Sequence, residues 1–117
     1  MTVIQKDNNL CTVVVTIDAE AEVMAELETH AKSGLQRFSE IEGFVSGALH
    51  KSTDGLRLIQ YLQWESEAAH LKCMNHPMWN DVPSTKRFME IVESGRAKMD
   101  VRVVDIVAVA ERRDTDV

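Results

Sequence analysis

Gly43-Phe-Val-Ser-Gly-Ala-Leu-His50-Lys-Ser-Thr-Asp-Gly55-Leu-Arg-Leu58-Ile-Gln60-Tyr-Leu62-Gln-Trp64 reads as two strands folded back on each other. Phe44 to Lys51 and Leu56 to Trp64 flank Ser52-Thr53-Asp54-Gly55, and Asp-Gly between apolar runs is a strong hairpin signal. Side chains alternate faces along a strand, so Leu58, Gln60, Leu62 and Trp64 share one face and Arg57, Ile59, Tyr61 and Gln63 the other. The first face is the apolar one and belongs toward a core.

Upstream, Cys11 to Ile17 is dense in Val and Thr, whose branched side chains suit a pleated sheet, and forms a first strand. Val23, Leu27, Ala31, Leu35 and Phe38 then recur at helical spacing, with Asp18 placed to cap and Glu20 and Glu22 at the positive end, so a helix is expected over about Ala19 to Ser39. His30, between the polar residues Glu28, Thr29 and Lys32, is expected on the exposed surface of that helix.

Downstream, Ser66 caps a short helix to about Met74, with Ala68, Leu71 and Met74 expected inward. Pro77 breaks it, and Pro83-Ser84 starts another whose stripe is Phe88, Ile91 and Val92 and which Gly95 ends. A Val-rich closing strand is expected from about Met99 to Ala110. Residues 1–9 and the charged tail 111–117 are expected to be mobile around a core of about 10–110, within one domain spanning 1–117.

Strand, helix, strand, strand, helices, strand is the order of an α+β, ferredoxin-like split βαβ fold, an antiparallel sheet with its helices on one face. Val101, Val103, Val104, Ile106, Val107 and Val109 give the closing strand more apolar surface than one subunit's helices can cover. A second copy is the expected cover, which makes a homodimer through the sheet faces and that strand.

Charge and cysteine content narrow the partners. A formal net charge of −6, with Arg112-Arg113 offset by Glu111, Asp114 and Asp116, opposes binding to nucleic acid or an anionic membrane. Cys11 and Cys73 form no CxxC and no disulfide framework, which fits a reducing cytoplasm. No basic-then-apolar leader opens the chain, and no apolar run reaches ~18 residues, so neither an export signal nor a membrane span is expected. Cys73 and His76 stand three apart, but Pro77 comes next and no second ligand pair has suitable spacing, so no metal is expected. His76-Pro-Met78-Trp79 fits an apolar lid between two helices.

The hairpin, with its Leu-His, Asp-Gly and Gln-Trp spacing, resembles the central hairpin of the antibiotic biosynthesis monooxygenase family, and the flanking elements fall in that family's order over roughly residues 10 to 110. The resemblance implies a dimeric α+β barrel in which each subunit holds a pocket between sheet and helices. It also implies oxidation of a phenolic or quinol-type aromatic by O₂ without flavin, metal or other cofactor: the deprotonated substrate passes an electron to O₂, and the pair recombines to a hydroperoxide that collapses to a quinone.

Such chemistry needs a dry pocket, donors for a phenolate and a peroxide anion, and a proton acceptor. By resemblance Gln60 and Trp64 stand at the family's asparagine and tryptophan pair, with Gln60 replacing the asparagine, and each can donate an N–H. His50 and His70 fall at polar pocket positions and can take the substrate's proton. Arg87 is a candidate for holding an anionic oxygen, and Leu58, Leu62, Met78 and Trp79 for lining the substrate pocket.

Two other functions compete. Related barrels place haem beside a tryptophan like Trp64, for which His76 or His70 would be the proximal ligand. A non-catalytic dimeric module binding a small molecule or another protein fits the same fold.

Overall fold

A computed structural model describes residues 9–113. The chain forms strand β1 (Cys11–Ala19), helix α1 (Ala21–Phe38), β2 (Phe44–Lys51), β3 (Arg57–Trp64), α2 (Glu67–Met74), the single turn α3 (Met78–Asp81), α4 (Pro83–Glu93) and β4 (Ala97–Val104). One antiparallel sheet has the order β2-β3-β1-β4, which is the expected α+β, ferredoxin-like plan. No helix among the described residues is long and apolar enough to cross a membrane.

The register fixes the faces. Val13 pairs with Leu62 and Val15 with Gln60 on one side, and with Val103 and Val101 on the other, so these residues share the face on which the helices lie. Val13, Ile17, Leu27, Leu58, Trp64 and Ile91 are almost wholly buried there. The opposite face carries Thr12, Thr16, Ile59, Tyr61, His50 and Arg102, a mixed surface in which Tyr61 Oη and Gln63 Nε2 are buried without a partner among the described residues. Val14 of β1 and Val104 of β4 lie on that same face, half-buried. Val101 and Val103 lie on the helix side of edge strand β4 and are nonetheless exposed.

Several sequence expectations are corrected. Asp18 does not cap α1: it ends up in β1, bound by the Arg57 guanidinium across the ladder, and Glu20 stands at the N-cap without a side-chain hydrogen bond. In α2, Ala69, His70 and Cys73 are buried, whereas Ala68, Leu71 and Met74 are exposed. The Ser66 cap holds, its Oγ accepting from the Ala69 N–H at 3.1 Å. The closing strand runs Ala97–Val104 rather than to Ala110: its only neighbour among the described residues is β1, and the last pair of that ladder is Thr12 with Val104. Beyond it, residues 105–113 have no regular structure, with Val107 and Val109 exposed. Of the ends expected to be mobile, 1–8 and 114–117 lie outside the described residues.

Gly43 shows why the hairpin can enter where it does. Its φ of +92° is one that side chains with a Cβ avoid, and a Cβ there would stand 2.6 Å from that of Ala69. The backbone of the β2 approach thus touches α2 directly, and the Glu65 N–H closes the contact on the Gly43 carbonyl at 2.8 Å.

Candidate active site

Between the sheet and the helices lies a cavity of about 270 Å³, walled mainly by apolar side chains. Val13 and Val15 of β1 and Gln60, Leu62 and Trp64 of β3 form its floor, with α1, α2 and α4 over it. Period two along β3 delivers the three residues to one wall; the β1–β3 register then sets each beside a buried residue of β1.

Trp64 is fully buried and held by rings on two sides. Phe44 meets it edge to face with centroids 5.2 Å apart, and Phe38 at 6.1 Å and 61°. Its indole N–H is buried without a hydrogen-bond partner among the described residues. Leaving such a donor unmet costs about 1–3 kcal/mol, which a ligand accepting from it would recover. Trp79, on the same cavity, differs: its N–H donates to the Cys73 carbonyl at 2.8 Å, so it fastens α3 to α2.

His70 joins the wall from α2, its ring 6.2 Å from that of Trp64 and mostly buried. Burial disfavours the imidazolium and lowers its pKa from the ordinary 6.5, with Glu67 acting weakly the other way. Burial likewise pushes the Cys73 thiol, also on the cavity, up to about 12, so it stays a neutral and unreactive wall group. Thr85 lines the cavity too, but its hydroxyl donates to the Met78 and Val82 carbonyls.

The structure thus gathers Trp64, Gln60, His70, Leu62 and Trp79 around one cavity and leaves the other candidates outside it. Leu58 and Met78 are buried in the core away from the lining. His50 lies exposed on the opposite sheet face, paired with Ile59. The cause is a bulge between Phe44 and Ser46, whose extra residue inverts the parity of the rest of β2. Arg87 does not line the cavity; its guanidinium grips Glu26 through Nε at 2.9 Å and Nη2 at 3.3 Å. His76, one of the two histidines considered for haem, is exposed, and its Nδ1 accepts from the Met78 N–H at 3.0 Å.

Two cavity positions escaped the sequence. His30, expected on the surface, lines the cavity and is bonded to Glu26 at 3.1 Å. The available signal was helical: His30 lies three residues after Leu27 and four before Gly34, both buried. Gly34 lines the cavity as well, and a Cβ added there meets nothing within 4 Å.

Residues 11–82 match the profile of the antibiotic biosynthesis monooxygenase family. No curated protein matches the chain. Among solved structures, a variant of SnoaB, a cofactor-independent oxygenase from Streptomyces nogalater, is similar at a TM-score of 0.70 and 14% identity, covering 89% of this chain and 99% of that one. ActVA-Orf6 of Streptomyces coelicolor, a monooxygenase in complex with nanaomycin D, is 25% identical at a TM-score of 0.57, over 90% of this chain and 96% of that one. Rv0793 from Mycobacterium tuberculosis is similar at 16% identity and a TM-score of 0.62, over 85% and 99%. With the family profile spanning the first strand through α3 and the fold shared over nearly the whole chain, this protein belongs to the antibiotic biosynthesis monooxygenase family.

Proposed function

We propose that the protein is a cofactor-independent monooxygenase that oxidises a phenolic or quinol-type aromatic in the Trp64 cavity. The observation that carries this is the unpartnered indole N–H of Trp64 on the wall of an apolar cavity that also holds Gln60 and His70. Family membership supports monooxygenase activity in general, and the aromatic ligand of ActVA-Orf6 supports the substrate class.

Loss of the phenolic proton leaves an electron-rich phenolate, and one electron passes to O₂. Superoxide and the substrate radical combine, forming a C–O bond and a peroxide anion that is then protonated. Loss of water converts the C–H and C–OOH into a carbonyl: one oxygen atom stays in the quinone, the other leaves with two substrate hydrogens, and no outside reductant is needed. Anions form at two stages, and a preorganised N–H in a water-poor cavity stabilises an anion far better than bulk water would. Trp64 and the Gln60 amide supply such donors. His70, neutral through burial, can hold a hydrogen bond to the oxygen that changes charge.

A homodimer belongs to the same proposal. Val101 lines the cavity and Val103 lies next to it on the same face of edge strand β4, so a second copy covering these valines would also close that end of the pocket.

The test is oxygen consumption by metal-free, flavin-free protein over a panel of hydroquinones and polycyclic phenols. Uptake of one O₂ per substrate, with ¹⁸O₂ delivering one atom to the quinone, is expected. Absence of uptake across the panel, or hydrogen peroxide release without incorporation, would overturn the assignment.

A further inference from the structure

We infer that His30, oriented by Glu26 and through it by Arg87, is the base that removes the phenolic proton of the substrate. The inference rests on the oxygenase reading for the fate of the phenolate, but the proton transfer itself needs no oxygen. His30 lines the cavity from α1. Its Nε2 lies 3.1 Å from Glu26 Oε2, one helical turn earlier, and Arg87 of α4 grips both oxygens of that carboxylate at 2.9 and 3.3 Å. A carboxylate accepts, so Nε2 carries the hydrogen and Nδ1 keeps the lone pair that can take a proton.

Solvent access rises along the chain of contacts, from 18% for the His30 side chain to 41% for Glu26 and 42% for Arg87. One end of the array borders the cavity and the other meets water; Glu26 and Arg87 hold the imidazole in place, and His30, itself 18% exposed, returns the proton to solvent directly. The Arg87 hydrogen bonds, and after them the one from His30, hold the Glu26 carboxyl down to about 2, so it remains a carboxylate throughout the neutral range. This is the base-and-orienter arrangement of nucleophile and proton-transfer sites generally. As the phenolic O–H breaks, its electron pair stays on oxygen, a bond forms to Nδ1, and the imidazolium faces a fixed negative charge.

The other ionisable groups on the cavity suit this task less. Glu93 comes from α4 and is exposed, Cys73 stays a neutral thiol, and His70 sits where burial disfavours its charged form. Glu26 and Arg87 are positioning residues. Across the same helix pair, the Ser33 and Ser84 hydroxyls bond at 2.9 Å and fix α1 against α4, which keeps the array in register.

Anaerobic binding of 2-naphthol at pH 7 tests the inference, because naphtholate absorbs apart from naphthol. Wild-type protein should show the naphtholate band; His30→Gln, which keeps a residue of good helix propensity in α1, should weaken it at least tenfold, while His50→Gln, exposed on the opposite sheet face, retains it. Glu26→Gln should move the ionisation midpoint of the bound probe to higher pH, and Glu26→Asp should restore part of the shift. Circular dichroism confirms that each variant is folded. In turnover, His30→Gln should lose roughly a hundredfold in kcat. No band in the wild type, or an unchanged band in His30→Gln, overturns the inference. A wild type that ionises naphthol yet consumes no oxygen removes the oxygenase reading and leaves His30 in place; oxygen uptake with unaltered kcat and pH profile in His30→Gln does the reverse.

Discussion

The Phe44 ring meets the Trp64 indole edge to face, planes at 83°, and the two residues are partners across the β2–β3 ladder. With Phe38 on another side, the indole is fixed by contacts that do not involve its N–H. Trp64→Phe keeps much of that aromatic packing and removes the donor. Turnover per folded molecule should fall roughly ten- to a thousandfold with a modest loss of stability. A lower melting temperature with unchanged turnover would make Trp64 a core residue only.

Gly34 sets the depth of the cavity. It is buried in α1, yet a Cβ there meets nothing within 4 Å, so the missing side chain is part of the empty volume. Gly34→Ala should stabilise the helix by about 0.5–1 kcal/mol and raise Tm by a few degrees. Gly34→Leu should exclude tricyclic phenols while still admitting single-ring hydroquinones, read as a rise in KM for the larger substrates alone. Equal effects on both would mean that substrate lies elsewhere.

Acid should weaken the fold in two stages with different sources. His70 is depressed below 6.5 when folded, so as pH falls through 6.5 the unfolded chain takes up a proton that the folded chain refuses, and stability drops. Glu26 is depressed from 4.5 to about 2, so its contribution is complete above 4.5 and is lost as pH falls toward 2. Thermal melts between pH 8 and 5 should show a falling Tm in the wild type and a flatter profile in His70→Gln. An identical slope in the two proteins would rule out His70 as the source of the first stage.

Val103 and Val107 are 54% and 79% exposed in the single subunit, so an aspartate at either should cost an isolated chain less than about 0.5 kcal/mol. Buried in a dimer interface, the same charge costs several kcal/mol. Sedimentation at micromolar concentration should therefore show a wild-type dimer and a folded Val103→Asp monomer. A wild-type monomer would end the dimer proposal.

The order and kind of the elements were legible in the residues alone. Period-two runs of Val, Ile and Leu, the helical stripe Val23-Leu27-Ala31-Phe38, and breaks at Gly43, Pro77 and Gly95 are local facts that local forces enforce. So was the face shared by Gln60, Leu62 and Trp64, since parity within one uninterrupted strand leaves no choice. Packing settled the rest, because the remaining questions concern which surfaces meet. A bulge after Phe44 turned His50 away from the cavity, and no residue in β2 announces that extra count. In α2 apolar residues lie all round the helix, so only its packing on β3 could choose Ala69, His70 and Cys73 as the inner side. The β1–β4 ladder ends at the pair Thr12 and Val104, so the valines beyond that pair do not extend the strand. His30 looked like surface beside its polar chain neighbours; the packing of α1 and α4 placed it on the cavity, with Glu26 and Arg87 behind it.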